Sequence, residues 1–553
     1  MESGAALSPL ILAALGWVSL AALAVSAVRH SAGRSPVIKS DGWWWSLAGV
    51  TLLAFRWPLL WVPHQFNPDE SQLIAGALTL RHDPMFWRAV DGGTAGPLDY
   101  YPLLPAAWGD GPASYAIARL IALATVFGAL IFAGASLRRA IGAEVARLAV
   151  LPALVFIAFT THPDFTHYST ELMPLLLLAA AVYLAIRHAP APSPWLGWAV
   201  ALLLGSVLWA KPQAVPLAAT VWGLFVANEL RCARAKNIFL SLVVGSLLPT
   251  LVCFVAVTAA GQTEHLIVPY FLRNFGYVRE APLPFVERAL LQWQNSLVDG
   301  YLGLWLAGTL LLAAVGLAGA RGTTAPLRRL ALAEAVVLAV GGLTAIAPSR
   351  PSAHHLWFIV LPLVWTAGIA LAVMNQIAAD APAQARRRLL VAGLFLAGGT
   401  LPQLGWRARH ADEFAYAHTL GIPAARLQLS TLIRRLTLPD EPLAVWGWRT
   451  SLYVEAGRRQ ATRQAQTEAQ IYPNDYQRYF LRRYFEDFQA AQPPVFADAV
   501  GPGNFAFVDP RQAHESFPPL REWVRARDTL IATIDGVRLF VRNDRLDRLS
   551  ASP

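Results

Sequence analysis

Long apolar runs recur through the first 405 residues of the chain and predict helices rather than strands. Twelve of them have roughly the 20-residue length that an α-helix needs to cross a bilayer core of about 30 Å. They lie near 7–28, 43–63, 113–136, 145–161, 170–187, 194–210, 213–228, 237–260, 300–320, 329–348, 355–374 and 388–405. The pattern predicts a polytopic α-helical membrane protein with about twelve spans.

The first apolar run shares one feature with a secretory signal peptide. A small-residue stretch, Ala-Val-Ser-Ala, precedes Val28, as it does at signal cleavage sites. The leading segment 1–6 lacks the positive charge that signal peptides carry. We therefore expect this run to be retained as a membrane span.

Basic residues cluster in short segments between the apolar runs and predict the sidedness of the chain. The clusters are Arg29, Arg34 and Lys39; Arg138 and Arg139; Arg231, Arg234 and Lys236; Arg321, Arg328 and Arg329; and Arg386, Arg387 and Arg388. All five fall on one face of the predicted topology. With that face cytoplasmic, segments 64–112, 161–170, 261–299 and 349–354 lie outside, as does everything after residue 405.

Composition agrees with a membrane setting. Of the 553 residues, 55% are hydrophobic and 14% charged, with a mean hydropathy of +0.42, which excludes an ordinary soluble protein of this length. The net charge of +10 comes mostly from the orienting clusters and does not indicate nucleic-acid binding. The only cysteines are Cys232 and Cys253, which excludes a disulfide framework and a cysteine-based metal site.

Charge density returns after Trp406, which predicts a folded external domain. Strand-like segments at 443–448 and 505–509, and a hairpin signal at Asp535-Gly536, indicate a mixed α/β domain. We therefore predict two domains: a multi-span domain over 1–405 with an external loop at 64–112, and an extracytoplasmic α/β domain over 406–553.

Ionisable residues at membrane depth are costly, so their positions carry functional information. By the predicted sidedness, they approach the outer boundary of the membrane, whereas the inner halves of the spans are nearly bare. This distribution favours an outward-facing reaction site over an ion pathway through the bilayer. The residues are Arg56, Asp69, Glu70, Arg119, Glu171, Lys211, Arg350, His354 and His355.

Each of these residues also has a structural interpretation. Arg56, Arg119 and Lys211 could reach lipid headgroups as anchors. A second group could bind a metal, or could form a polar loop with helix-capping roles; it comprises His162, Asp164, His167 and Glu171. Asp69 and Glu70 suit the first turn of a loop helix that begins at Pro68, where a carboxylate is also held ionised and oriented.

Several short motifs resemble those of one enzyme family. Asn-Pro-Asp-Glu-Ser-Gln-Leu-Ile-Ala-Gly-Ala-Leu at 67–78, followed by Gly-Pro-Leu-Asp-Tyr-Tyr at 96–101, resembles the first extracytoplasmic loop of the GT-C membrane glycosyltransferases. That group uses polyprenyl-phosphate sugars and includes protein mannosyltransferases and aminoarabinose transferases. Further matches follow in order at 118–120, 168–171, 211–213, 350–355, 361–362, 445–448, 452–453 and 457–458.

The resemblance implies transfer of a monosaccharide from a polyprenyl-phosphate donor to a protein, lipid or envelope-glycan acceptor, with inversion at the anomeric carbon. It implies Asp69 as the base, with Glu70 orienting it. The residues that it implies for binding the donor phosphate are Lys211, Arg350, His354 and His355. Candidate site-lining residues are Arg56, Tyr100, Arg119, Asp164 and Glu171. No cofactor is certain, and a divalent metal is left open. The expected location is the inner or plasma membrane, with the site outside.

Two departures and two other function classes remain. Leu73 stands where the family motif has tyrosine, and one extra span precedes the family core, which leaves the acceptor and the N-terminal topology open. A lipid-linked glycan polymerase or ligase would use basic residues of a late outer loop, such as His265, Arg273 and Arg279. A transporter or flippase would show repeated halves, which are not evident in the sequence.

Overall fold

The structure is a computed structural model that describes residues 9–31, 34–109, 111–231, 235–279, 283–298, 302–319, 323–349, 351–377, 382–410 and 421–550. Four residues singled out in the sequence lie outside the described residues: Cys232, Arg234, Arg321 and Arg350.

The described chain is mainly helical. Its helices are α1 (Pro9–Ser31), α2 (Asp41–Leu60), α3 (Pro68–Leu80), α4 (Pro97–Tyr100), α5 (Tyr115–Ile141), α6 (Ala143–Phe159), α7 (Pro163–Thr166), α8 (Leu172–His188), α9 (Pro194–Ser206), α10 (Val215–Arg231), α11 (Ala235–Ala259), α12 (Thr263–Leu266), α13 (Arg273–Arg279), α14 (Phe285–Val298), α15 (Leu302–Gly319), α16 (Ala325–Ile346), α17 (Trp357–Ile377), α18 (Pro382–Arg409), α19 (Ala424–Leu436), α20 (Ser451–Ala456), α21 (Glu468–Ile471), α22 (Gln477–Ala491), α23 (Pro518–Arg527) and α24 (Asp547–Ser550). Four strands are present: β1 (Leu443–Gly447), β2 (Val495–Ala499), β3 (Asp528–Ile534) and β4 (Val537–Arg542).

Each of the twelve apolar runs coincides with one of these helices, so the helical part of the fold prediction is confirmed. Five described helical segments are long and apolar enough to cross a membrane on their own; they are Ile11–Ser31, Tyr115–Ile141, Phe239–Ala259, Ala325–Ile346 and Ala353–Gln376. The bent pair Phe285–Leu297 and Leu302–Ala314 passes the same test jointly. The total of about twelve spans stays a prediction.

Contacts divide the chain into two compact units. The first unit contains the described residues of Met1–Leu60, Ala122–Val252 and Ala281–His418, and the second those of Trp61–Ile121, Cys253–Glu280 and Thr419–Pro553. The division into domains 1–405 and 406–553 stays a prediction from composition.

Helix α6 lies at the centre of the first unit. All of its residues from Val145 to Phe159 are buried, and it packs against α1, α2, α17 and α18. From Leu148 to Phe159 its sequence is apolar around the whole circumference, which is the pattern of a helix surrounded by other helices. This packing fixes the ends of α6 and α17, beside which the polar residues of the first unit lie.

The second unit contains a four-stranded sheet of order β1-β2-β4-β3. Strands β1 and β2 are parallel, and β4 pairs antiparallel with both β2 and β3. The predicted hairpin is confirmed, because Asp535 and Gly536 join β3 to β4 with positive φ angles of 51° and 73°. The strand-like segment at 443–448 is confirmed as β1.

The strand predicted at 505–509 is wrong, because this segment is an irregular loop. It follows Gly501 and Gly503, which both have positive φ angles, and Ala506 also lies in that region, so the backbone cannot extend. The apolar residue Phe507 is buried in the core of the unit and anchors the loop there. Its hydrophobicity reflects that anchor rather than a strand.

We expect accessible cysteines to report the predicted sidedness. Thr94 and Glu522 are exposed in the second unit and Arg139 is exposed at the end of α5, so a cysteine at each can react. In a background without Cys232 and Cys253, an impermeant thiol reagent should label positions 94 and 522 in intact cells, and position 139 only after lysis. Labelling of position 139 in intact cells would overturn the orientation.

Candidate active site

The first loop carries Asp69 and Glu70 at the start of α3, as predicted. Pro68 is the first helical residue and Asn67 is the N-cap, whose side chain accepts a hydrogen bond of 2.9 Å from the Asp69 N–H. Asp69 is therefore in the first turn, where the helix dipole favours a carboxylate. Its side chain is partly exposed, whereas Glu70 is fully buried.

Glu70 forms a buried ion pair with Arg119. The Arg119 Nε lies 2.8 Å from Glu70 Oε1, Nη2 lies 3.0 Å from Oε2, and both side chains are 0% exposed. Arg119 also donates hydrogen bonds of 2.6 Å to the carbonyls of Val62 and His64. Arg119 is thus a buried residue rather than an exposed anchor, and it fixes Glu70 and the loop before α3.

Tyr100 packs directly against α3. Its hydroxyl is hydrogen-bonded to Gln72, and its ring lies so close to Gly76 that an added Cβ there would be 2.3 Å from the ring. Burial raises the pKa of Tyr100 well above its usual value, opposed by the Gln72 hydrogen bond and reinforced by nearby carboxylates that include Asp69. Tyr100 therefore remains a neutral hydroxyl beside the turn that carries Asp69.

The segment after β1 holds the same helix. Thr450 Oγ1 donates a hydrogen bond of 2.8 Å to the carbonyl of Pro68, and Gln460 N donates one of 3.0 Å to Thr79 Oγ1. Ala75 of α3 belongs to the hydrophobic core that includes Leu443 of β1. Helix α3 is therefore built into the core of the second unit at both ends.

We expect Thr450→Val to loosen the first turn of α3. Loss of one buried hydroxyl-to-carbonyl hydrogen bond should lower the free energy of unfolding by about 0.5–1.5 kcal/mol, whereas Thr450→Ser keeps the donor. Thermal unfolding of the two variants in detergent measures the difference. Equal melting temperatures for Thr450→Val, Thr450→Ser and the wild type would remove this contact from the account.

In the first unit, Lys211 lies in a break between helices, as predicted. It has extended backbone angles between the 3₁₀ turns Val207–Trp209 and Pro212–Ala214. Its ammonium contacts a carboxylate oxygen of Glu171 and donates a hydrogen bond of 2.6 Å to Thr170 Oγ1. The side chains of Lys211 and Glu171 are 4% and 0% exposed, so they form a buried ion pair rather than a surface anchor.

The histidine pair joins the same polar cluster. His354 donates from its backbone N to Asp164 Oδ2 at 3.1 Å, and its Nδ1 lies 3.3 Å from that oxygen. Its Nε2 lies 4.0 Å from Glu171 Oε1. His355 closes a capping box with Ser352, because its Nδ1 accepts a hydrogen bond of 3.1 Å from the Ser352 N–H. Glu171, Lys211 and His354 are therefore brought together.

Asp164 is held ionised in this cluster. Burial tends to raise its pKa, but the hydrogen bond and charge of His354, and the charges of His167 and His162, lower the pKa further than burial raises it. The net result is a pKa well below the usual value of a carboxyl group. Asp164 thus stays an anion that orients His354.

Arg56 contacts the backbone next to this cluster. Its guanidinium is buried and donates hydrogen bonds of 2.8 and 2.7 Å to the carbonyls of Thr160 and Phe165. His162 accepts a hydrogen bond from the Asp164 N–H, and His167 Nδ1 lies 2.6 Å from the Pro163 carbonyl. These three side chains shape the turn that contains α7.

The structure groups metal-capable atoms differently from the sequence. Potential ligand atoms of Glu171, His354 and His355 all lie within 4.8 Å of one another. In the sequence, the candidate set was instead His162, Asp164, His167 and Glu171. Only Glu171 is shared, because the histidine pair reaches it from a segment more than 180 residues later.

An apolar cavity of about 620 Å³ lies next to the turn that contains His354 and His355. It lies among α14, α15, α16 and α17. Leu356, which directly succeeds His355, and Ile359, one helical turn later, form part of its wall. Most of its lining is aliphatic, and Glu334, whose Oε1 accepts a hydrogen bond of 3.2 Å from Thr366, is the ionisable residue in that lining. The first unit thus joins a polar cluster to an apolar cavity.

Several buried polar residues have no place in the sequence-based site. They include Glu334, and the His188–Glu229 pair, whose Nε2 and Oε2 atoms lie 3.4 Å apart. The sequence also did not predict roles for Thr450 and Gln292, because a single polar residue in an ordinary helix or loop is not part of a motif. Hydropathy alone could have identified Glu229 and Glu334 as ionisable residues within apolar helices.

Solved structures share this fold. The chain is similar to ArnT from Cupriavidus metallidurans bound to undecaprenyl phosphate, with a TM-score of 0.54 and 14% identity over 91% of this chain and 98% of that one. The apo state of ArnT gives the same values. A weaker similarity, with a TM-score of 0.44 and 12% identity over 87% of this chain and 69% of that one, is to the Archaeoglobus fulgidus oligosaccharyltransferase in the apo form.

No protein-family profile and no curated protein sequence matches the chain. The shared architecture is nevertheless that of ArnT over nearly the full length of both chains. The fold that the motif resemblance implies is therefore confirmed as one shared with ArnT.

Proposed function

We propose that this protein is a GT-C-type glycosyltransferase that takes a monosaccharide from a polyprenyl-phosphate donor and transfers it to an acceptor outside the cytoplasm. The observation that supports this most strongly lies within the first unit. A buried cluster with Lys211 and His354 leads, through His355 and Leu356, into the apolar cavity. A ligand with a phosphate head and an isoprenoid tail matches both parts.

The ArnT structure gives independent support for the donor class, since it was solved with undecaprenyl phosphate bound. A cavity of about 620 Å³ cannot enclose a long prenyl chain completely. We therefore propose that it holds the isoprene units nearest the phosphate, and that the rest of the tail lies in lipid.

Charge balance determines how the phosphate is bound. Lys211 and His354 are matched by the anions Glu171 and Asp164, so a phosphate must share these donors with the carboxylates. A divalent ion held by Glu171, His354 and His355 would add positive charge at this point and polarise a phosphate oxygen. The ammonium of Lys211 and the His354 ring are the groups of this chain that we assign to the phosphate.

Asp69 is the proposed general base. The acceptor hydroxyl attacks the anomeric carbon, the bond from that carbon to the phosphate oxygen breaks, and the hydroxyl proton passes to the Asp69 carboxylate. Polyprenyl phosphate leaves with the bonding electron pair, and the anomeric configuration inverts. Glu70 and Arg119 act indirectly, because their ion pair holds the loop and the turn that carry Asp69.

We expect Gly342→Phe to block binding of polyprenyl phosphate. Gly342 lines the cavity, and a Cβ added there meets no atom within 4 Å, so the new side chain starts in open space at the cavity wall. Binding should weaken by about 10-fold or more, which corresponds to about 1.4 kcal/mol. The measurement is equilibrium binding of labelled polyprenyl phosphate to the purified full-length chain.

The matched control is Gly308→Phe, a helical glycine in α15 that also has open space around its Cβ but does not line the cavity. It should bind like the wild type. Polyprenol and a short-chain prenyl phosphate should both bind more weakly than the full lipid phosphate. Equal affinity for all three ligands, or equal affinity of both Phe variants, would contradict the proposed donor site.

A further inference from the structure

Helix α14 exposes an apolar stripe to its surroundings. At 100° per residue, Val286, Leu290, Trp293 and Leu297 fall within an arc of about 60°. Their exposed fractions are 66%, 57%, 41% and 39%. No charged residue interrupts the arc, so this face is suited to an apolar environment.

The opposite side of α14 is polar and packs onto the protein. Gln292 is buried and its Nε2 donates hydrogen bonds of 3.0 and 3.3 Å to the carbonyls of Ser352 and Ala345. Asn295 Nδ2 donates one of 2.9 Å to Gln292 Oε1. Arg288 Nη1 donates one of 2.5 Å to the carbonyl of Ala347. Three side chains of α14 thus hold the segment that leads to the histidine turn.

The contact of Gln292 with Ser352 connects α14 to the histidine turn of the candidate site. Ser352, whose carbonyl binds Gln292, is the cap of the turn that contains His354 and His355. Its N–H donates to His355 Nδ1. Gln292 therefore fixes the start of the turn from which His354 reaches Asp164 and Glu171.

The direction of α14 identifies what covers its stripe. Its axis is inclined at 109° to Leu302–Ala314, which is part of α15, the helix that coincides with the predicted span at 300–320. A helix nearly perpendicular to a span lies along the membrane surface. Helix α15 also exposes large apolar residues, at Leu304, Leu310 and Leu311. Glu287 and Gln294, beside the stripe, are exposed and polar, as expected on the water side.

We propose that α14 is a membrane-interface helix whose apolar stripe lies in lipid, and that Gln292 is a positioning residue that holds the His354–His355 turn for the donor phosphate. The second half of this inference rests on the proposed function. The same helix forms part of the wall of the apolar cavity, through Ala289, Gln292, Trp293 and Ser296.

Spin labels test the lipid contact in the full chain reconstituted in lipid nanodiscs. A nitroxide at Leu290→Cys should collide more with oxygen than with a water-soluble nickel chelate, and a nitroxide at Glu287→Cys should show the reverse. Both are exposed positions on one helix, so the comparison is matched. Preferential collision of the Leu290 label with the nickel chelate would overturn the membrane-interface assignment.

Binding measurements test the positioning role. Gln292→Met keeps the side-chain length and loses both donor bonds, so affinity for polyprenyl phosphate should fall about 10-fold. Gln294→Met, an exposed position of the same helix, should bind like the wild type. In a His354→Ala background, Gln292→Met should cause no further loss, because its effect passes through the histidine turn.

A full additional loss in the His354→Ala background, or wild-type affinity of Gln292→Met, would overturn the positioning role. If Gln292→Met fails to fold, Asn295→Leu removes the bond that orients the Gln292 amide and should show the same dependence on His354. If the wild type binds no polyprenyl phosphate, the proposed function and the positioning role both fall. The spin labels still decide the membrane surface independently.

Discussion

Asp69→Asn is expected to reduce sugar transfer by roughly 100-fold or more, with expression and membrane insertion unchanged. The amide preserves the shape of the side chain and its place in the first turn of α3, but it cannot take up the proton of the acceptor hydroxyl. The matched control is Asp83→Asn, which removes a carboxylate of the same loop that is paired with the exposed Arg88. That variant should transfer normally.

Glu70 distinguishes the roles of the two neighbouring carboxylates. Glu70→Gln breaks a fully buried ion pair and leaves Arg119 without its anion, so its main effect should be on the free energy of unfolding, by about 3–5 kcal/mol. Turnover of the folded fraction should be less affected than in Asp69→Asn. Near-normal turnover of Asp69→Asn would show that Asp69 only stabilises the first turn of α3 and is not the base. A greater loss of turnover in folded Glu70→Gln than in Asp69→Asn would make Glu70 the base and Asp69 the orienting residue.

Lys211→Ala is expected to lower both stability and donor binding. The substitution leaves Glu171 buried without its partner, which should reduce the free energy of unfolding by about 3–5 kcal/mol. Loss of a charged contact to phosphate should weaken donor binding by about one to two decades, or roughly 1.5–3 kcal/mol. Lys211→Arg should also be poorly tolerated, because a planar guanidinium does not replace a buried ammonium in a tight break.

A double variant separates the two effects. Lys211→Met with Glu171→Gln removes both charges of the pair, so stability should recover substantially while donor binding stays weak. His354→Ala should weaken binding alone, and Arg187→Ala, at an exposed site at the end of α8, should change neither quantity. Thermal unfolding and binding of polyprenyl phosphate are measured on each variant. Unchanged binding in all Lys211 and His354 variants would contradict this phosphate site and make Arg273 and Arg279 the next candidates to test.

Hydropathy was sufficient to locate the helices because membrane spans are dictated by local composition. The run at 237–260, for example, became α11 at Ala235–Ala259. The hairpin at Asp535-Gly536 was equally local, since its turn chemistry lies in two adjacent residues. The strand expected at 505–509 failed because periodicity does not distinguish a strand from a loop whose aromatic residue is buried.

The site was only partly predictable for a different reason. Motif order identified Lys211 and the histidine pair, but the contacts that assemble them join residues far apart in the chain. Asp164 and His354 are 190 positions apart. Thr450 and Pro68, whose hydrogen bond anchors α3, are 382 positions apart, and no local sequence pattern predicts such a contact. The roles of the individual site residues therefore remain predictions for mutagenesis.

The most direct test of the central claim is transfer by the purified full-length chain. The protein in lipid nanodiscs is supplied with a polyprenyl-phosphate monosaccharide and an envelope extract as acceptor source, and released polyprenyl phosphate and glycosylated product are measured by mass spectrometry. We expect both products to accumulate together with the wild type, and neither to accumulate with Asp69→Asn. Donor that stays intact with the wild type across a panel of sugars and acceptor extracts, or products that form equally with Asp69→Asn, would contradict the account.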